Sequence, residues 1–167
     1  MAGDTEKSDL LRIAEILLAH GVEFIVVGGQ AETIFGSARV TVDIDLCYRR
    51  TKDNLKRLAA ALHEINPTLR NAPKDLPFII DEKTLALGNN FTFDTPLGDL
   101  DLLGFLEPLG DYEVISKRAL TIRVGQIDLK VIHIDDLIAI KQYLQRPKDR
   151  DSLMHLLAIK KIQSESQ

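Results

Sequence analysis

A short apolar run that ends in two adjacent glycines constrains the fold of this chain more than any other feature. Residues 24–27 (Phe-Ile-Val-Val) are bulky and mostly β-branched, which favours a buried strand. Gly28 and Gly29 follow at once and permit positive φ angles and close backbone approach. Residues 30–35 can then form a short helix that stops at Gly36. The segment therefore predicts a strand, a tight turn and a helix in direct succession.

The next segment, residues 40–48, alternates between apolar and polar side chains, as a strand does. The apolar side chains predicted to face the core are Val42, Ile44 and Leu46. Asp43 and Asp45 leave the opposite face, with Cα atoms about 6–7 Å apart, so that both carboxylates can converge on one hard cation. Without a cation they repel each other and at least one pKa rises. An exposed edge strand also carries such pairs, but the apolar side of this strand predicts an interior position.

A third carboxylate is expected from the segment Gly98–Leu103, in which Asp99 and Asp101 alternate to one face. Asp101 lies deeper in the predicted strand and is the choice for a triad with Asp43 and Asp45. Asp99 sits beside a turn and can simply end the strand. Two acids would hold metal, and the third would help to activate an acceptor hydroxyl.

The remaining pattern predicts an α+β (mixed α/β) fold, in which helices flank a mixed sheet with antiparallel hairpins. Predicted helices cover residues 8–20, a segment that opens at Thr51 or Asp53, residues 136–144 and residues 149–162, with Asp149 as a cap of the last one. Two hairpins are predicted, one joining residues 91–94 to 99–103 and one joining 120–124 to 127–131. Residues 68–90 are expected to be irregular.

The length of 167 residues predicts a single domain over 1–167, with flexible tails at 1–7 and 163–167. The formal charge of −4 argues against a general nucleic-acid scaffold. One cysteine, Cys47, excludes an internal disulfide and fits a reducing cytoplasm. No apolar stretch reaches the roughly 20 residues of a membrane span, so we expect a cytoplasmic protein without a membrane partner.

In combination, these segments resemble the nucleotidyltransferase superfamily, whose shared core is the polymerase-beta-like palm. The resemblance rests on Gly28 and Gly29, the R-x-T-x-D-x-D run from Arg39 to Asp45, and the G-D-L-D-L-L run from Gly98 to Leu103. A later K-x-x-x-x-R-P-K-D segment is similar to small bacterial members, including toxin-like ones related to abortive-infection systems; it comprises Lys141, Arg146, Pro147, Lys148 and Asp149. The likeness spans residues 22–160.

This chain departs from the family pattern in two respects. Many members have Gly-Ser where this chain has Gly28 and Gly29, so a hydroxyl that could touch a phosphate is absent here. The larger toxin-like members carry a further C-terminal domain, which this chain is expected to lack.

The resemblance implies that the chain moves a nucleoside monophosphate from a nucleoside triphosphate, such as ATP, to a hydroxyl acceptor and releases pyrophosphate. Two Mg²⁺ ions would be held by Asp43, Asp45 and Asp101, and Asp101 would accept the acceptor's proton. The candidate nucleotide-binding residues are Gly28, Gly29, Arg39, Lys141 and Lys148. Arg39 could instead pair with Asp43, and the two lysines could lie on a solvated helix face.

Two alternatives remain open at this stage. The chain could be a catalytically idle relative that binds a nucleotide or a partner, for example an antitoxin within a toxin–antitoxin pair. It could also be a structural module that uses its hairpins as an interface. The transferred base, the oligomeric state and the acceptor (RNA, a protein hydroxyl or a small molecule) do not follow from the sequence.

Overall fold

The computed structural model describes residues 7–73 and 75–166, and it builds them around one seven-stranded mixed sheet. The strands are β1 (Phe24–Val27), β2 (Ile44–Tyr48), β3 (Thr68–Leu69), β4 (Asn90–Thr95), β5 (Gly98–Leu103), β6 (Phe105–Leu106), β7 (Gly110–Asp111), β8 (Leu120–Val124) and β9 (Ile127–Val131). The helices are α1 (Asp9–Ala19), α2 (Gly28–Ile34), α3 (Lys52–Ile65), α4 (Glu82–Leu87), α5 (Tyr112–Ile115), α6 (Ile134–Leu144) and α7 (Pro147–Glu165).

The order of strands in the large sheet is β3-β4-β5-β2-β1-β9-β8, so β2 and β5 lie at its centre. β2 runs parallel to β5 and β1 runs parallel to β9, whereas the other neighbours are antiparallel. The two predicted hairpins are β4–β5 and β8–β9. The α+β prediction of a mixed sheet with antiparallel hairpins and flanking helices is therefore confirmed.

Alternation along the strands decides which face of the sheet is covered. Phe91 and Phe93 of β4 are buried beside Leu100 and Leu102 of β5, while the intervening side chains are more exposed. Helices α1 and α3 contribute their buried stripes to the same core. The Asp residues of β4 and β5 consequently lie on the other face.

The predicted helix starts at Ser8 and Thr51 are confirmed. The Ser8 hydroxyl accepts a hydrogen bond from the Leu11 amide at 3.3 Å, and the Thr51 hydroxyl accepts one from the Asn54 amide at 3.3 Å. Both residues satisfy amides that the first turn of a helix leaves without intrahelical partners. His133 likewise begins α6 by accepting from the Asp135 amide through Nδ1.

The predicted strand over residues 40–48 is wrong in its first half, because β2 begins only at Ile44. Val42, assigned to the core from the alternation, is 75% exposed. The neighbouring strand β1 ends at Val27, which pairs with Asp45 of β2. The pairing of β2 with β5 begins at Ile44. Residues 40–43 thus run past the end of the sheet, and alternation without a neighbouring strand does not bury a side chain.

Other boundaries also differ from the prediction. The irregular segment 68–90 contains β3 and α4, and the Asp81 carboxylate caps α4 by accepting from the Thr84 amide at 2.7 Å. Helix α7 begins at Pro147 and continues to Glu165, so it starts before the predicted Asp149 and takes up most of the predicted tail at 163–167. Most of the other predicted tail, residues 1–6, lies outside the described residues, as does residue 167.

Among the helices that the structure describes, none is both long and apolar enough to cross a membrane. Cys47 is buried in β2 with a free thiol, and burial raises its pKa to about 12. Cys47 therefore acts as a small packed side chain of the core.

Candidate active site

The centre of the site is a pair of carboxylates on adjacent parallel strands. Register pairs Asp45 of β2 with Asp101 of β5, and successive side chains on a strand alternate between faces. Both acids therefore leave the same face of the sheet side by side. The choice of Asp101 rather than Asp99 agrees with this register, since the pairing of β5 with β2 begins at Leu100 and leaves Asp99 outside it.

The pairing with Asp101 alters the pKa of Asp45. Burial, followed by the charge of Asp101 and a hydrogen bond with its carboxyl group, raises the pKa of Asp45 to about 7. Asp43 raises the pKa further, and the ammonium group of Lys141 opposes the rise. A carboxyl group with this pKa is still partly protonated at neutral pH unless a cation approaches it.

Asp43 lies just outside β2, at the entrance of a cleft of about 280 Å³ that Asp45 also lines. The Gln30 amide donates to the Asp43 carbonyl at 3.4 Å, which holds the backbone near α2. The Asp43 side chain is exposed, and its negative charge contributes to the raised pKa of Asp45. Within residues 7–73 and 75–166, no three His, Cys, Asp or Glu side chains are grouped closely enough to hold a metal as they stand.

Gly28 brings the start of α2 directly against Asp45. Its φ is +62°, and a Cβ atom added there would lie 3.0 Å from both Cβ and Cγ of Asp45 and closer still to Oδ2. A Cβ on Gly29 would lie 2.9 Å from Cβ of Thr41. The glycine pair therefore serves close packing against the acidic strand and the loop before it, as well as the turn itself.

The opposite wall of the cleft is cationic and is organised by a fully buried acid, Asp149. Lys141 Nζ lies 3.3 Å from Asp149 Oδ1, and Arg146 Nε lies 2.6 Å from Asp149 Oδ2. Burial by itself would raise the pKa of Asp149, but the hydrogen bonds from Arg146 and Lys141 outweigh it and lower the pKa. Asp149 also accepts from the Arg146 amide at 3.2 Å, so it does cap α7, but from the third position inside the helix and not from the start that the sequence predicted.

Arg39 ties the loop before β2 to α7. Its guanidinium donates to the Lys148 carbonyl at 2.8 Å and to the hydroxyl of the buried Ser152. Of the two roles considered for Arg39, pairing with Asp43 is not the one adopted, because these contacts go to α7. The guanidinium remains on the cleft wall beside Lys148.

The cleft brings together most of the predicted binding residues. Those that line it are Gly28, Gly29, Arg39, Asp43, Asp45, Lys141 and Lys148. Asp101 lies next to Asp45 but does not line the cleft, and its closest cation is Arg70, with Nη1 at 3.0 Å from Oδ1. The solvated face considered for Lys141 is wrong, since only 12% of its side chain is exposed.

Sequence reasoning missed four residues of this region: Glu32, Arg70, Arg146 and Ser152. Arg146 belongs to the R-P-K-D segment, and its place beside Lys148 was a usable signal. Glu32 and Ser152 lie within helices, and nothing in the sequence around them indicates a cleft. Arg70 falls in the segment expected to be irregular.

The donor atoms suit a hard divalent cation. Asp45 and Asp101 supply adjacent carboxylate oxygens, which are the ligands that Mg²⁺ prefers. Asp101 Oδ1 is buried and makes no hydrogen bond of acceptable geometry, even though Arg70 lies nearby. An unsatisfied oxygen beside a carboxyl group with a raised pKa fits a cation, and Asp43 is a further carboxylate at the entrance.

No protein-family model matches this chain, and no curated protein does. Solved structures do match. The lincosamide antibiotic adenylyltransferase LnuA, in its lincomycin-bound crystal structure, aligns over 93% of this chain and 98% of its own, with a TM-score of 0.63 and 15% identity. The chain has the nucleotidyltransferase fold.

Two further structures share this nucleotidyltransferase fold. A candidate nucleotidyltransferase from Thermotoga maritima aligns over 89% of this chain and 90% of its own, with a TM-score of 0.56 and 14% identity. The antibiotic-resistance factor ANT(2'')-Ia aligns over 89% and 82%, with a TM-score of 0.56 and 12% identity. At these identities, the likeness concerns the fold.

In the metal-free protein, we expect Asp45→Asn to raise the unfolding temperature at pH 8 and to leave it nearly unchanged at pH 4. The folded chain keeps the Asp45 proton up to about pH 7, whereas an unperturbed aspartate loses it near 3.8. Raising the pH through this interval therefore favours the unfolded wild-type chain, and the penalty is complete above pH 7. Thermal unfolding in EDTA should show a gain of about 3 °C or more at pH 8.

The control for this measurement is Asp151→Asn, which changes an exposed aspartate of α7. Its effect should not vary between pH 4 and pH 8. A gap between Asp45→Asn and wild type that stays constant over the same range would contradict the raised pKa.

A second prediction compares Gly28→Ala with Gly36→Ala. Both glycines have positive φ, so both variants should lose stability, but a Cβ on Gly36 would meet nothing within 4 Å. Only Gly28→Ala should displace the Asp45 carboxylate. We expect Mg²⁺ to raise the unfolding temperature of wild type and Gly36→Ala, and not that of Gly28→Ala. An equal Mg²⁺ response in the two variants would show that the close packing is irrelevant to the site.

Proposed function

We propose that this protein is a metal-dependent nucleotidyltransferase that moves a nucleoside monophosphate from a nucleoside triphosphate to a hydroxyl acceptor, with release of pyrophosphate. The observation that carries the proposal is the parallel register of Asp45 and Asp101 at the Gly28 turn, facing a cationic wall. The fold of the adenylyltransferase LnuA and the other similar structures agrees with this chemistry.

The distribution of charge supports a triphosphate in the cleft. The cations on its wall are Arg39, Lys141, Arg146 and Lys148. One buried acid, Asp149, takes up part of this charge and holds Lys141 and Arg146 in place. Glu32, Asp43 and Asp45 also line the cleft, so the positive charge is concentrated on this wall and is not an excess over the whole cleft. The guanidinium groups on the wall can bind phosphate oxygens in a bidentate way. The backbone at Gly28 and Gly29 can approach the phosphates closely because no side chain intervenes.

Asp43, Asp45 and Asp101 would hold the divalent metal, for which Mg²⁺ is the proposed identity and two the proposed number. When bound, the metal would neutralise phosphate charge and stabilise the entering and departing oxygens. The role of the protein itself is to position the reactants, since phosphoryl transfer depends mainly on orientation and charge.

Asp101 is the residue proposed to accept the proton of the acceptor hydroxyl. The acceptor oxygen would attack the α-phosphorus, forming a phosphate ester and breaking the bond to the bridging oxygen of the β-phosphate. Pyrophosphate would carry the departing charge, next to Lys141 and Lys148. A carboxylate is suited to this proton transfer once it is in hydrogen-bond reach of the hydroxyl.

The acceptor supplies only a hydroxyl group in this scheme, and RNA, a protein side chain and a small molecule all carry one. LnuA is by name an adenylyltransferase of lincosamide antibiotics. Its likeness to this chain supports testing small-molecule acceptors, with ATP as the first donor.

We expect Asp101→Asn and Asp45→Asn each to lower the transfer rate by about 100-fold or more, because each removes charge that the transition state requires. Asp99→Asn, two residues away on the same face of β5, should change the rate less than about threefold. The assay incubates the protein with Mg²⁺, each labelled nucleoside triphosphate and cell extract, and follows pyrophosphate release and the labelled product. Equal losses from Asp99→Asn and Asp101→Asn would contradict the assignment.

The same variants separate this proposal from an idle relative that binds a nucleotide or an antitoxin. Two adjacent carboxylates on one face, with Asp43 nearby, bring repulsion and no benefit to a fold that performs no reaction, which favours activity. Calorimetry with Mg²⁺ and each triphosphate provides the test. Binding that is unchanged by Asp43→Asn together with Asp45→Asn would favour the idle relative, and no nucleotide affinity at all would favour a structural module.

The cationic wall yields a separate prediction. Arg146→Ala and Lys148→Ala should each weaken the binding of triphosphate by about tenfold, because each removes a positive charge from the cleft. Arg150→Ala, which changes an exposed arginine of the same helix outside the cleft, should leave binding within twofold of wild type. Isothermal titration calorimetry measures all three. A loss for Arg150→Ala equal to the others would mean that the effect is one of overall charge.

A further inference from the structure

Arg70 is the cation closest to the proposed proton acceptor, and the proposed reaction gives it no role. It follows the edge strand β3, and its amide donates to the Thr92 carbonyl at 3.0 Å. Its guanidinium then crosses β4 to reach β5. Only 21% of the side chain is exposed.

The guanidinium is held at three points. Nε lies 3.1 Å from Asp94 Oδ1, and Nη2 donates to the Phe93 carbonyl at 2.8 Å. The third nitrogen, Nη1, lies 3.0 Å from Asp101 Oδ1. Two contacts therefore anchor the planar group to β4, and the anchored fork presents its remaining nitrogen to the carboxylate of the next strand.

The contact with Asp101 is an ion pair and not a complete hydrogen bond. Asp101 Oδ1 has no hydrogen-bond partner of acceptable geometry, although the two charged atoms are 3.0 Å apart. The arginine places its positive charge beside Asp101 without completing a hydrogen bond of good geometry to Oδ1. The carboxylate is thus held beside Asp45 and keeps an oxygen that a cation can bind.

The position of Arg70 in the sheet separates it from the phosphate-facing cations. β5 lies between β4 and β2, so Arg70 approaches Asp101 from the side opposite to Asp45. Lys141 and Arg146, by contrast, line the cleft that Asp45 also lines. Arg70 does not line that cleft, and its charge acts on Asp101.

We propose that Arg70 is a positioning residue, which holds the Asp101 carboxylate in place beside Asp45 and competes with the metal for its charge. This inference rests on the proposed function, because it assigns Asp101 the role of metal ligand and proton acceptor. It has two opposite consequences. Without Arg70, the acidic pair attracts a divalent cation more strongly, but Asp101 is no longer held for proton transfer.

The test measures metal affinity and turnover in the same variants. In the absence of nucleotide, Mn²⁺ titration followed by electron paramagnetic resonance should show Arg70→Ala binding Mn²⁺ about threefold to tenfold tighter than wild type. In the transfer assay, kcat should fall by at least about tenfold, while KM for the triphosphate stays within twofold because Arg70 does not line the cleft proposed for the nucleotide. A general loss of structure would weaken both properties and would not tighten metal binding.

Two further variants make the result specific. Arg70→Lys keeps the charge and loses the planar fork, so its Mn²⁺ affinity should match wild type and its kcat should lie between wild type and Arg70→Ala. Arg123→Ala breaks an equivalent pair with Asp128, 3.3 Å long, on the other edge of the sheet. It should change neither property.

The inference is overturned if Arg70→Ala binds Mn²⁺ no more tightly than wild type, or if kcat and KM change together with a loss of the circular dichroism signal. It is also overturned if Arg123→Ala has the same effect. If wild type performs no transfer, the proposed function fails, and the Mn²⁺ titration alone decides on Arg70. Tighter binding by Arg70→Ala, with wild-type affinity for Arg70→Lys, would then still support the competition for Asp101.

Discussion

The parallel pairing of β2 with β5 is the constraint on which the rest of the site depends. It places Asp45 and Asp101 side by side at the centre of the sheet, where burial and the charge of Asp101 raise the pKa of Asp45. The surrounding groups compensate this cost from two directions, with Lys141 acting on Asp45 and Arg70 on Asp101. Gly28 is required next to Asp45 because the carboxylate occupies the space of its Cβ. The repulsion between the two carboxylates is unfavourable by itself, and it would be relieved by the cation that the proposed function requires.

The cationic wall follows from one buried acid. Asp149 is inaccessible to solvent and is paired on both carboxylate oxygens, with Lys141 from α6 and Arg146 at the start of α7. The K-x-x-x-x-R-P-K-D segment is therefore a structural unit that closes the α6–α7 corner and directs its cations to the cleft. Arg39 attaches the loop before β2 to the same corner, so the acidic strand and the cationic helices are held at one separation.

Much of the fold could be predicted because its signals are local. The β-branched run of β1, the helix caps at Ser8 and Thr51 and the two hairpins were recognisable from spacing and turn residues. The prediction failed where a neighbour decides the outcome. Val42 alternates correctly but lies beyond the end of β1, so no strand or helix covers it. β3 has two residues and no period of its own, and it forms because β4 offers an edge.

The sequence by itself determined β1, the glycine pair, β5 with its alternating aspartates and the cationic segment near the end of the chain, because each of these is written in adjacent residues. Only the tertiary structure decided that Asp101 meets Arg70, that Asp149 joins two helices and that Arg39 contacts α7 in place of Asp43. These contacts join residues far apart in the chain, and no spacing rule specifies which distant side chain will satisfy a buried charge. The sheet order and the burial of each charge make that selection.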